Sequence, residues 1–240
     1  FYEGMKLGMA YQRFEESRND RGVGDDILFR TREQVDAFSM TLDFETRKNG
    51  PFQAYYGLEY IANRVGSRGS EKNISTGEVS PGASRYPDGS RWQSAAAYFN
   101  TAYKTQPNLS FLAGIRYSHT WIRAAFSDTF YDFPFSNADL DNGALTGSLG
   151  AVFTPGGDWS FSANLSTGIR APNVDDVGKV FDSEPGSVVV PNPGLRAEYA
   201  YNAEIGVAKV FGQVLEFDLS AFYTLLDDAL VRRNFTLNGQ

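Results

Sequence analysis

Residues 159–211 read WSFSANLSTGIRAPNVDDVGKVFDSEPGSVVVPNPGLRAEYAYNAEIGVAKVF, two alternating arms around a proline-rich, acidic loop. Strand side chains alternate with a period of two, so Trp159, Phe161, Ala163, Leu165, Thr167 and Ile169 share one face of the first arm. Ser160, Ser162, Asn164, Ser166, Gly168 and Arg170 share the other. The second arm repeats the division, with Tyr199, Tyr201, Ala203, Ile205, Val207 and Phe211 set against Glu198, Asn202, Glu204 and Gly206. Each arm is a strand with one apolar and one wet face, which suits lipid on one side and a water-filled lumen on the other.

The same alternation recurs outward in both directions. Met5, Leu7, Met9 and Tyr11 oppose Lys6, Gly8, Ala10 and Gln12, and Phe38, Met40, Leu42 and Phe44 oppose Ser39, Thr41, Asp43 and Glu45. Further strands are read over residues 52–63, 92–104, 109–123, 145–153 and 214–226, and the segment 227–240 starts another. The connections alternate long and short. The short ones (47–51, 105–108, 154–158 and 211–213) carry turn residues, whereas the long ones (15–34, 66–91, 128–142 and the loop above) are charged or rich in Gly and Ser. The pattern predicts an all-β, antiparallel transmembrane barrel wall of about nine strands, with tight turns at one end and long loops at the other. A soluble sandwich or propeller is the alternative, but its strands usually run nearer to about five or six residues.

Composition fits this architecture. Of 240 residues, 42% are hydrophobic and 21% charged, with 24 glycines and 15% aromatics, an excess that suits pleated surfaces and turns. The lack of cysteine excludes disulfides, thiol nucleophiles and thiolate metal sites. A net charge of −7 excludes the basic footprint that nucleic acid requires. No apolar run reaches the length of about 18 residues needed for a membrane-spanning helix. The mean hydropathy of −0.35 does not argue against a barrel, since only alternate residues face lipid. The sequence opens at Phe1 in mid-pattern without a signal peptide, and is expected to be a piece of a longer protein.

Two phrases in the opening stretch are more specific than periodicity. Ser166-Thr167-Gly168-Ile169-Arg170-Ala171-Pro172-Asn173, followed by Val190-Pro191-Asn192-Pro193-Gly194-Leu195 and Glu198, resembles the late-barrel signature of TonB-dependent outer-membrane receptors, and the chain as a whole is similar to those of Bacteroidetes-like bacteria. The resemblance covers nearly all of residues 1–240, as a partial barrel domain. It implies nine to ten strands of a barrel of about 22, closed by a plug domain and driven through that plug by the TonB complex. The plug and the last strands are not among these residues. It further implies residence in the outer membrane of a Gram-negative bacterium, contact with its lipid, and a scarce, bulky nutrient such as a ferric siderophore or similar metal chelate. No cofactor, catalytic residue or resident metal is implied. Some haem receptors of the family carry a histidine between the two phrases, and none lies between Arg170 and Leu195 here, which lowers the expectation of haem.

Candidate ligand-facing residues are Arg116, Asn164, Arg170, Asp175, Asp176 and Glu204, placed on the wet face or in the loop. Other wet-face residues, Glu45, Glu59, Asn202, Glu216 and Asp218, are expected to tune passage or to hydrogen-bond to a plug. Asp175, Asp176, Lys179, Asp182 and Glu184, with a second cluster of Asp139, Asp141 and Asn142, match no calcium-loop spacing and read as solvated charge. The aromatics Tyr56, Tyr60, Trp92, Tyr98, Trp121, Trp159, Tyr199, Tyr201 and Tyr223 form either a ligand platform or an interfacial girdle. His119, the one histidine, shares the parity of Ile115, Tyr117 and Trp121 and reads as part of that girdle. Three alternative functions remain at this point: a passive outer-membrane pore, a lipid-facing enzyme using His119, for which Ser118 and Ser110 lie on the wrong face to be nucleophiles, and a loop-rich adhesion or surface-binding protein.

Overall fold

The computed structural model describes residues 2–46, 50–130, 133, 135–178, 192, 194–212 and 214–231. Within them the chain folds as a single antiparallel meander. β1 (Gly4–Asp20), β2 (Ile27–Glu45), β3 (Phe52–Asn73), β5 (Ser90–Gln106), β6 (Leu109–Ala125), β7 (Asn137–Gly156), β8 (Trp159–Arg170), β9 (Glu198–Phe211) and β10 (Leu215–Asp227) pair in that order. The short β4 (Val79–Gly82) pairs with the far end of β3. A five-residue helix, α1 (Val174–Gly178), follows β8. The sheet has ten strands, within the nine to ten expected, although the short β4 falls in a stretch read as loop, and among the described residues β1 and β10 are its edges.

Register keeps the two faces separate across the whole sheet. Met5, Phe44, Tyr56, Phe99 and Ile115 fall in one cross-strand row of the apolar face, and Asp43, Gly57, Tyr98, Arg116 and Thr146 in one row of the polar face. A slip of one residue would exchange the faces, so the row assignments pin the register. The turn between β7 and β8 is a two-residue loop, Gly157-Asp158, with φ of 59° and 60°. Positive φ at both central positions matches the twist of a hairpin, which makes glycine and aspartate the suitable residues there.

Three long connections are shorter than the sequence pattern suggests. β1 continues to Asp20 and β2 begins at Ile27, so most of the charged segment 15–34 is a paired hairpin and not a loop. β3 runs on to Asn73, and β7 begins at Asn137, which places Asp139, Asp141 and Asn142 on a strand. The reason is that a ladder continuing into water needs no apolar face. Outside the lipid band the binary pattern disappears while the backbone bonds persist. Arg13 donating to Gln34 at 2.8 Å, Arg32 to Glu15 at 2.6 Å and Arg30 to Asn19 at 2.7 Å link the strands there instead.

The buried apolar cluster lies on the polar face, at its long-loop end. Ile122, Ala124, Ala138 and Leu140 of β6 and β7 are covered by Val177 of α1, with Trp92, Phe126 and Leu195 packed around them. The apolar face, by contrast, leaves Leu7, Leu58, Leu149, Leu165 and Ile205 exposed.

Candidate functional site

Above its middle, the polar face carries a chain of linked side chains built on one row. Tyr98 of β5 lies across β3 to reach Asp43 of β2, and it passes over Gly57. A Cβ at Gly57 would stand 2.6 Å from the Tyr98 hydroxyl and 2.5 Å from the Leu42 carbonyl oxygen, so glycine is required for this crossing. Next in the row, Arg116 donates through Nη2 to Glu59 at 2.5 Å and through Nε to Ser118 Oγ at 2.9 Å. The guanidinium lies 6.0 Å from the centre of the Tyr98 ring. One row towards the short turns, Gly114 leaves room for Asn100 and Ser148, which would stand 2.5 and 2.9 Å from a Cβ there. Together these residues line a shallow depression of about 420 Å³ that extends to Ser166. It offers fixed donors and acceptors of both signs to a polar ligand.

Residues 171–178, which follow β8, pack on the long-loop end of this wall, and their sequence accounts for the way they sit. Asn173 caps α1: its Oδ1 accepts from the Asp176 amide at 3.0 Å, and Asp176 Oδ2 accepts from the Asn173 amide at 3.0 Å, a reciprocal capping box. Arg170, the last residue of β8, donates to Asp176 at 2.7 Å and ties strand to helix. Pro172 is fully buried, and its carbonyl oxygen accepts from the Trp92 indole at 3.2 Å. The Tyr86 hydroxyl donates to Asp175 at 2.8 Å, and burial, reinforced by this bond, pushes the phenol up to about 12. Leu195, from the second phrase, packs against the apolar cluster that Val177 covers, and Ala197 is buried.

The candidate residues thus fall into three places. Arg116 sits in the central row, Asn164 pairs directly with Glu204 on the polar face of β8 and β9, and Arg170, Asp175 and Asp176 belong to the loop. Arg170 and Asp176 are joined by a hydrogen bond, but among the described residues no side-chain contact joins the three places. Asp175 and Asp176 hold the loop in position and are not free charges. Lys179, Asp182 and Glu184 lie outside the described residues, which contain no cluster of metal-ligating side chains. Among the aromatics, register puts Trp92 and Tyr98 on the polar face and Tyr56, Tyr60, Trp121, Trp159, Tyr199, Tyr201 and Tyr223 on the apolar face. Sequence reasoning missed Asp43 and Tyr98 as a pair and α1 as a helix. The N-x-x-D spacing of residues 173–176 was the available signal for the helix.

The family profile described as TonB dependent receptor-like, beta-barrel, matches residues 3–239. The chain belongs to this family. Its sheet is therefore a barrel wall of the Gram-negative outer membrane, with the apolar face towards lipid and the polar face towards the lumen. Solved structures of similar fold include a structure named Copper transporter OprC (13% identity, TM-score 0.78, 94% of this chain and 36% of that one). The ferric yersiniabactin uptake receptor FyuA of Yersinia pestis matches at 17% identity, TM-score 0.66, 94% of this chain and 33% of that one. The hemophore receptor HasR of Serratia marcescens, solved with its hemophore and heme, matches at 15%, 0.67, 93% and 40%. The chain thus spans between 33% and 40% of the length of these three structures. The comparison with curated proteins found no match.

His119 lies on the lipid face of this receptor barrel. Its Nε2 contacts Asp141, its Nδ1 meets the Tyr117 hydroxyl at 3.0 Å, and its ring stacks on Trp121 at 4.5 Å. The only hydroxyl it contacts among the described residues is a phenol, and Ser118 is on the lumen side bound to Arg116. The arrangement is that of a polar tip within an aromatic belt.

Proposed function

We propose that this chain forms part of the wall of a receptor that takes up a scarce, bulky nutrient, a ferric siderophore or similar metal chelate, with uptake energised by the TonB complex through a plug held in the lumen. The observation that carries this reading is the linked set of Asp43 with Tyr98 and Glu59 with Arg116 on the polar face, in a chain of this family. Ferric chelates of this kind are polar and often anionic. Arg116 gives the wall a cation whose planar fork suits carboxylate and hydroxamate oxygens. Glu59 holds that fork in place, and both side chains line the depression.

The test uses the full-length receptor in its outer membrane. Equilibrium binding of hydroxamate, catecholate and carboxylate ferric siderophores is measured, together with growth under iron limitation. Binding of one class is expected, with Arg116→Ala weakening it about tenfold, equivalent to about 1.4 kcal/mol. If no chelate binds and the full-length protein conducts ions across a bilayer without an energised partner, the passive-pore reading replaces this one. Phospholipid hydrolysis lost in His119→Ala would replace it with the enzymatic reading.

A further inference from the structure

The outward face carries a basic row that the receptor reading does not use. Arg64 of β3 pairs in register with Arg91 of β5, and Arg91 with Arg123 of β6. All three are exposed. Like charges set directly opposite each other on neighbouring strands are destabilising, so three in succession need anions from somewhere. The protein supplies few. Among the described residues none of the three makes an ion pair within 4.0 Å. Asp36, opposite Arg64, is already occupied by the Tyr11 hydroxyl at 2.7 Å, the Gln34 amide at 2.7 Å and Arg13 at 3.9 Å. Asp139 stands opposite Arg123 without an ion pair, and Asp141 is bound to His119.

The position of the row identifies the missing anion. One same-face step towards the short turns, about 7 Å along the strands, lie Ala62, Gln93 and Trp121. A further step brings Tyr60, Ala95 and His119. These aromatics mark the edge of the lipid band. The arginines therefore sit just beyond the acyl chains, on the long-loop side, which in such barrels is the outer leaflet. At that depth the abundant anions are headgroup phosphates, and guanidinium groups bind phosphate through paired hydrogen bonds. Adjacent strands are about 4.8 Å apart, so the row spans about 10 Å, enough to engage more than one phosphate of a single headgroup.

We propose that Arg64, Arg91 and Arg123 form a binding site for the phosphorylated headgroup of an outer-leaflet glycolipid. The proposal rests on the outer-membrane placement of the chain and not on its cargo. The experiment is accordingly independent of nutrient uptake. The full-length receptor is exchanged into neutral phosphatidylcholine vesicles containing either a bis-phosphorylated acyl disaccharide lipid or its enzymatically dephosphorylated form, and retained lipid is counted by native mass spectrometry. The phosphorylated lipid is expected to be retained at least tenfold better. The triple change of Arg64, Arg91 and Arg123 to Gln is expected to abolish that preference, and Arg91→Lys, which keeps the charge but loses the paired hydrogen bonds, to retain more of it than Arg91→Gln does. Thermal unfolding followed by fluorescence checks that the variants are folded, and Arg91→Gln alone, expected to weaken retention severalfold, serves if the triple variant does not fold. Equal retention of both lipids, or an unchanged preference in the Gln variants, overturns the site. Protection of the wild type by inorganic phosphate with no preference between the two lipids would make the row a site for an adventitious ion only, and overturns it as well.

Discussion

Single residues decide whether the loop stays on the wall. Gly178 ends α1 where a Cβ would stand 2.8 Å from Pro87 Cδ, a rigid ring atom of the β4–β5 loop. Gly178→Ala should push the helix away from the wall, at a cost of roughly 1–3 kcal/mol in loop docking, read as faster hydrogen exchange at Val177. Tyr86 governs the same contact through its proton. Its phenol is raised from 10.0 to about 12 in the folded loop, by burial first and by the bond to Asp175 second. The neutral form is thus the one that docks. Its contribution is complete below pH 10 and is lost as pH rises through about 12. In the full-length receptor with every tryptophan other than Trp92 changed to Phe, Trp92 reports docking, because its indole bonds to Pro172. Its accessibility to a fluorescence quencher should rise across that interval, and Tyr86→Phe should shift the transition away from it.

At the level of elements, the sequence made the strands legible and misjudged their lengths. Between Met5 and Tyr11, or Leu145 and Phe153, one face must be apolar, so alternation reveals the strand directly. Beyond Tyr11 the outward residues become Arg13, Glu15, Ser17 and Asn19, and the pattern that signals a strand is gone although pairing continues to Asp20. The loop was half legible. Its phrases named the family, but the work of Arg170, Pro172 and Asn173 appears only in three dimensions, where they tie off β8, bond Trp92 and cap α1. The Tyr98 and Asp43 pair was illegible for a related reason. Two strands separated by β3 are joined across a glycine, and nothing in either strand's own sequence announces the other.

For the molecule as a whole, lipid takes the place that a second layer of protein takes in a soluble fold. Among the described residues the buried apolar cluster lies under α1, while the outward face leaves large side chains such as Leu149 and Ile205, both 64% exposed, uncovered by other described residues. Neighbouring positions of one strand should therefore respond oppositely to the same charge. Leu149 stands in the middle of the apolar run of β7, opposite Ala113 and Leu165. Ser148 stands next to it on the lumen side, opposite Gly114 and Ser166. In the full-length protein reconstituted in bilayers, Leu149→Arg should cost roughly 2–4 kcal/mol in denaturant unfolding, the usual cost of arginine at mid-depth on a barrel exterior. Ser148→Arg should cost much less, because its guanidinium reaches water in the depression beside Arg116 and Glu59. Equal losses for the two substitutions would mean that the two faces share one environment, and the assignment of lipid and lumen would fail with them.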